Sequence, residues 1–187
     1  MTVLEVPAGW LAEQRREATI EHLDAEAGTI LMRAAPYDVE VQLDAKLWES
    51  FAPKTFERAA NAPSRVKLWH GHQGPLVGHA STVEDRPDGA WIQARFSNTP
   101  NAAEARELAS DGTLDQVSVT FKPMREHMQV QRREDGLHIR HTRAVLLGVA
   151  LVPHGAYAEH AFVASVRDMQ ADRVREAEIA RLRALTH

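Results

Sequence analysis

The sequence predicts an α+β fold dominated by strands, in one domain with a charged helix at its C-terminal end. Three observations carry this. Short runs rich in β-branched and aromatic residues recur along the chain, separated by turns bearing Gly, Pro, Asn or Asp. One segment, "NTPNAAEARELASDG", has the start signal, apolar stripe and stop signal of a helix. The tail from Arg167 is highly charged, with Val174, Ile179, Leu182 and Leu185 at ragged helical spacing. The domain boundary therefore falls between residues 1–166 and 167–187.

Taken in order, "REATIEHLDAEAGTILMRAA" reads as a hairpin, because two runs with β-branched residues flank a polar turn with glycine. "PYDVEVQLDAKLWESF" follows as a loop or irregular edge. Pro53 opens a short helix, "PKTFERAANA", which ends before Pro63. "RVKLWH" is a buried strand leading into a histidine-rich loop. "LVGHASTVED" and "AWIQARFS" are two strands around the turn "RPDG". In the clear helix Asn98 or Thr99 caps, Pro100 sits at the first turn, Ala103 and Leu108 lie on the apolar stripe, and Gly112 stops it. "LDQVSVTFKPM" is a strand with Val117, Val119 and Phe121 on one face and Ser118 and Thr120 on the other. "HMQVQRRE", a "DG" turn and "LHIRHTRAVLLGVALV" form a further hairpin. The apolar end of its second strand makes that strand central.

Composition narrows function more by exclusion than by assertion. The 187 residues are 44% apolar and 26% charged, with a formal net charge of −4, so there is no general drive toward nucleic acid or anionic membrane. No cysteine is present, which excludes disulfides, thiolate metal sites and a cysteine nucleophile. No apolar run approaches the ~20 residues of a membrane span. "MTVLEVPAGWLAEQRRE" lacks the basic start and apolar core of a secretory signal, so a soluble intracellular protein is expected.

Histidine is the unusual component, at 10 residues, and three of them fall in "KLWHGHQGPLVGHA". Three readings stand open for this stretch. His70, His72 and His79 can hold a metal ion, one can serve as a general base, or the whole can be a polar loop. Gly71 and the glycine-proline run break the strand that would align His70 with His72, and neither HExxH nor any carboxylate lies here. Ser118 is equally open. A serine alternating with valines is the polar face of a strand, or a nucleophile if a base and oxyanion donors come within reach.

Four blocks, spanning residues 30–165, carry a resemblance to a known family. "RAAPYDVEVQLDAKLWESFAPKTFERA" resembles a polar segment leading to an apolar-Pro-x-x-Phe helix start. "VKLWHGHQGPLVGHA" resembles an apolar strand ending in a histidine, then a turn and a glycine. "AREL-ASDGTLDQVSVTF" resembles a helix, Gly-x-Leu and x-Val/Leu-Ser-x-x-Phe. "AVLLGVALVPHGAYAEHAFV" resembles a closing strand with Val-Ser/Ala-Leu-Val and a Pro/Gly-Ala-Tyr turn. In order and spacing, these blocks look like the tailed-phage prohead proteases, or capsid maturation proteases.

That resemblance implies a herpesvirus-protease-like β-barrel flanked by helices, related to assemblin, and a serine endopeptidase. Carried over by position, Ser118 is the nucleophile. His72 is the base, four residues after Leu68 and five short of Gly78, with His70 and His79 as neighbours. The third member of the triad is where the chain departs: relatives carry Glu or His where this chain has Gly148. Either His141, Asp115 or Glu159 substitutes, in that order of preference, or the site works as a dyad. The turn "PHGAY" implies an oxyanion hole from the backbone amides of Ala156 or Tyr157. The resemblance further implies no cofactor and no metal. Its substrates would be the major capsid protein with its scaffold segment, and the enzyme itself. A homodimer is a further expected partner; nucleic acid and membrane are not. The site of action would be the assembling prohead in the bacterial host cytoplasm. The tail from Arg167 would begin a scaffold-like segment or make a dimer contact. Two competitors stand beside this reading: a catalytically silent capsid assembly protein of the same fold, and a zinc hydrolase using His70, His72 and His79.

Overall fold

The computed structural model describes residues 14–24, 28–154 and 166–167. Among these residues, twelve strands lie in two sheets beside one α-helix. The larger sheet runs β1 (Gln14–Asp24), β2 (Thr29–Pro36), β7 (Gly89–Phe96), β6 (Leu76–Arg86), β5 (Lys67–His70), β11 (Ala144–Val152) and β8 (Gln116–Pro123), and β1 pairs β8 as well. The pairing thus returns on itself. β1 is long enough to serve both neighbours, antiparallel to β8 over residues 14–19 and to β2 over residues 19–24. A two-residue strand, β12 (Val166–Arg167), lies parallel to β1.

The interior is filled by the inward set of alternating residues, as a period of two requires. Ile30 and Met32 of β2, Leu68 of β5, Val77 of β6, Ile92 of β7, Val117, Val119 and Phe121 of β8, and Val149 and Leu151 of β11 are fully or almost fully buried in one cluster. The helix α1 (Pro100–Ser110) covers part of it. Thr99 caps the helix, its hydroxyl accepting from the Ala102 N–H at 3.3 Å, and Pro100 occupies the first turn. The buried stripe is Ala102, Ala105 and Ala109. Ala103, expected on that stripe, is exposed, and Leu108 is half-buried. Gly112, at φ +83°, turns the chain out of the helix into β8.

The smaller sheet has the order β3 (Val41–Asp44), β4 (Leu47–Phe51), β10 (Gly136–His141), β9 (Met128–Arg133). Two expectations change here. The segment that the sequence presents as a loop or irregular edge is the β3–β4 hairpin, and β4 is an inner strand paired in parallel with β10. Its burial of Glu49 and Ser50 hides the alternation that would mark it. The run "LHIRHTRAVLLGVALV" is two strands rather than one. It breaks at Thr142, whose N–H and hydroxyl both donate to the His127 carbonyl, so β10 stays in the small sheet while β11 enters the large one. β11 is central there, as its apolar character predicts. The expected helix from Pro53 is a turn followed by 3₁₀ turns at Glu57–Asn61 and Pro63–Arg65. Asp85 pins that turn to β6, accepting from the Lys54 N–H at 3.0 Å and the Tyr37 hydroxyl at 2.5 Å. The C-terminal helix expected over 167–187 lies outside the described residues.

Candidate active site

β8 presents Ser118 outward, on the face opposite Val117, Val119 and Phe121. Ser118 stands opposite Ala150 of β11, and Ala150 opposite Trp69 of β5, so one row crosses three strands as Trp69, Ala150, Ser118. Glu17 of β1 completes the register on the other side. The outward face is nevertheless closed, because Ser118 is 0% exposed and Thr120 1%. Among the described residues the Ser118 Oγ has no hydrogen-bond partner, and neither has the buried Oε1 of Gln116, two residues earlier on the same face. A buried hydroxyl left unmatched costs about 1–3 kcal/mol, so a fold that keeps one calls for an explanation.

His72 stands on the loop between β5 and β6. The loop is shaped by backbone constraints. Gly71 adopts φ +74°, and its N–H donates to the Leu151 carbonyl at 2.9 Å. The His70 N–H donates to the Pro75 carbonyl at 3.1 Å. A Cβ on Gly74 would stand 1.6 Å from the His70 carbonyl oxygen, so only glycine fits. The loop carries His72 into solvent, beyond the end of the strand whose Trp69 shares the row of Ser118. His70 aligns with Leu151 and Val117, the row of opposite facing, and is half-buried. His79 is exposed on β6, opposite Lys67 and Arg95. Among the described residues no three His, Cys, Asp or Glu side chains are grouped to hold a metal ion, so the zinc arrangement of His70, His72 and His79 does not form.

The candidates for a third triad member are dispersed. His141, the preferred one, is placed elsewhere. Its Nε2 meets Glu49 Oε1 at 2.9 Å with both side chains fully buried, and its ring packs on Phe51 and Phe121. Phe121 faces the interior and Ser118 the opposite side of β8, so His141 serves the junction of the two sheets. Asp115 is half-buried just before β8. Glu159 and the proposed oxyanion donors Ala156 and Tyr157 lie outside the described residues.

Position 148 itself has a physical answer. Gly148 lies on the outward face, opposite Thr120 and Lys67. A Cβ there would stand 2.1 Å from Trp69 Cζ3 and 2.4 Å from the Lys67 carbonyl oxygen. A side chain at position 148 would run into the Trp69 indole. Sequence reasoning passes over both Trp69 and Gln116. The available signal was the pairing of an unusual glycine at 148 with a tryptophan on a neighbouring strand, and it becomes visible only once the register is known.

A closed strand ring, a serine buried on its outer face and a histidine loop at the end of the next strand but one define a candidate serine hydrolase. The family model described as Caudovirus prohead serine protease matches residues 17–174, and the chain belongs to that family. No curated protein matches the sequence. Among solved structures, the bacteriophage T4 capsid assembly protease gp21 is similar in fold, with a TM-score of 0.52 at 9% identity, over 76% of this chain and 99% of that one. No helix among the described residues is long and apolar enough to cross a membrane.

Proposed function

We propose that this chain is the serine endopeptidase of capsid maturation, cutting the scaffold segment from the major capsid protein and cutting itself inside the prohead. Ser118 Oγ attacks the scissile carbonyl. His72 takes the serine proton and returns it to the leaving amine, while backbone amides at Ala156 or Tyr157 hold the oxyanion. The observation that carries this reading is the unpartnered Ser118 Oγ, buried on a strand two places from the histidine loop. The contact between Ser118 and His72 forms when substrate binds, since catalytic hydrogen bonds commonly tighten at that stage. With Trp69 over Gly148, the pair works without an acid at that position. Loss of an orienting acid has cost about 10⁴-fold in kcat elsewhere; confinement with substrate at high effective concentration keeps the site filled, so that a slow dyad suffices for the few cuts each copy makes.

One observation favours a second reading, a silent assembly protein of the same fold: the indole stands where the orienting side chain would project. A single experiment separates the two. Wild type and Ser118→Ala are incubated with the capsid precursor and with a serine-directed phosphonate, and intact masses are measured. The protease reading expects trimmed product and one phosphonate adduct in wild type, and neither in the alanine variant. Untrimmed precursor that still binds, with no adduct, selects the assembly reading. Parallel His72→Ala and His70→Ala variants identify the base.

A further inference from the structure

We propose that the groove beside the start of β11 is a docking site for an acidic amphipathic segment of the capsid precursor, on the path to Ser118. The groove holds about 220 Å³, and Arg58, Arg65, Val66, Met124, Val145 and Leu146 are among its lining residues. Val145 is 46% exposed and is one of two large apolar side chains exposed among the described residues. An apolar side chain held in solvent beside a concave apolar floor is the signature of a contact surface.

Charge selects the occupant. Arg58 and Arg65 are exposed, and Lys122, opposite Val145 in register, is exposed too. None of the three is in an ion pair among the described residues. Glu57, the adjacent acid, is taken by Arg143 at 3.6 Å. Two arginines on an apolar groove, with Lys122 beside Val145 in register and no ion-pair partner for any of the three among the described residues, fit a segment whose apolar side chains are flanked by Asp or Glu.

The register connects this groove to the serine. On the outward face of β8 and β11 the rows run Lys122 with Val145, Thr120 with Gly148, and Ser118 with Ala150. Lys122 and Ser118 are four residues apart, about 14 Å along the strand. The Trp69 indole lies between, over Gly148. A precursor segment held at Val145 therefore directs the next four to six extended residues along the Trp69 side toward the row of the buried serine.

The identity of the partner rests on the protease reading; the chemistry of the site does not. The test uses the full chain and two probes: the whole capsid precursor, and a short peptide spanning its cut site without the acidic segment. Arg58→Glu/Arg65→Glu and Val145→Asp are compared with Arg58→Lys/Arg65→Lys. The expected result is a KM for the precursor raised at least tenfold by the first two, with kcat and short-peptide cleavage unchanged, and near wild-type behaviour of the lysine variant. An unchanged precursor KM overturns the proposal. Anisotropy binding of the precursor to Ser118→Ala carrying the same changes reads docking without catalysis, so an inactive enzyme leaves the question answerable. Binding should weaken at least tenfold and fall with salt. Unchanged binding, or a dimer that dissociates on Val145→Asp while precursor binding persists, refutes it.

Discussion

Ser118 shows how far one residue can be read. Its alternation with Val117 and Val119 fixes which face it takes, and that much is legible because a strand has a period of two. Its burial is not legible, since it depends on what other strands bring over it. The unmatched Oγ yields a prediction that separates function from stability. Ser118→Ala should abolish cleavage while leaving the Tm unchanged or raised, because it removes a hydroxyl that costs about 1–3 kcal/mol unpaired. A drop in Tm, measured calorimetrically, would show that the hydroxyl is satisfied in solution. Gly148 yields the opposite case. A methyl group there meets the Trp69 ring at 2.1 Å and the Lys67 carbonyl at 2.4 Å. Gly148→Ala should lose about 1–3 kcal/mol by overpacking. Trp69→Ala in the same chain should relieve only part of that, because the carbonyl remains. Chemical denaturation of the three variants checks the pattern. Gly148 is visible in the sequence as a departure from the expected pattern, but the tryptophan packed against it is visible only in the register.

At the scale of elements, those with local signals were legible: the α1 helix with its Thr99 cap, and the β6–β7 hairpin with its two-residue turn. In the small sheet the β9–β10 hairpin with its DG turn was legible too, but β3 and β4 were not, because that side rests on buried polar pairs rather than on alternation. Glu49 and His141 pair at zero exposure between β4 and β10. His138 of β10, nearly buried and stacked on Trp48, meets Asp135 at 2.9 Å and Glu40 at 3.3 Å, one carboxylate at each ring nitrogen. Breaking the first pair by Glu49→Ala should cost about 3–5 kcal/mol, because a buried partner is left uncompensated. The apolar double replacement Glu49→Leu/His141→Phe should recover most of it; urea midpoints decide. The second cluster predicts a pH dependence. The His138 hydrogen bond holds Asp135 below the usual carboxylate range. For Glu40, burial pulls upward, but hydrogen bonds and charge from Arg133 and His138 outweigh it and hold that carboxyl low as well. A depressed carboxyl stabilises the fold above its unfolded pKa, and that stability is lost as pH falls through the folded value. The stability gap between wild type and Glu40→Gln should therefore be full at pH 7 and close in acid, below the ordinary glutamate value of 4.5. A gap that stays constant through acid would assign Glu40 no part in it.

At the scale of the whole molecule, the strand-dominated class follows from turn spacing, but the neighbours do not. β5, β11 and β8 lie side by side although long stretches of chain separate β5 from the other two, and β1 closes the ring by pairing with both β2 and β8. Nothing local encodes such pairings; they follow from how the buried faces fit together. The two sheets meet through one aromatic cluster. Phe51 of β4, Phe56, Phe121 of β8 and His141 of β10 have ring centroids 5.1–5.9 Å apart. All four are almost fully buried. Because this junction belongs equally to both sheets, neither should unfold alone. Trp48 reports on the small sheet and Trp91 on the large one, so variants keeping one or the other as the sole tryptophan should give coincident urea transitions. Phe121→Ala should lower both midpoints together, by about 3–5 kcal/mol of stability. If Trp48 alone shifts, the small sheet is a satellite. The precursor path from Val145 to Ser118 would then depend on the large sheet only, since both residues lie on β8 and β11.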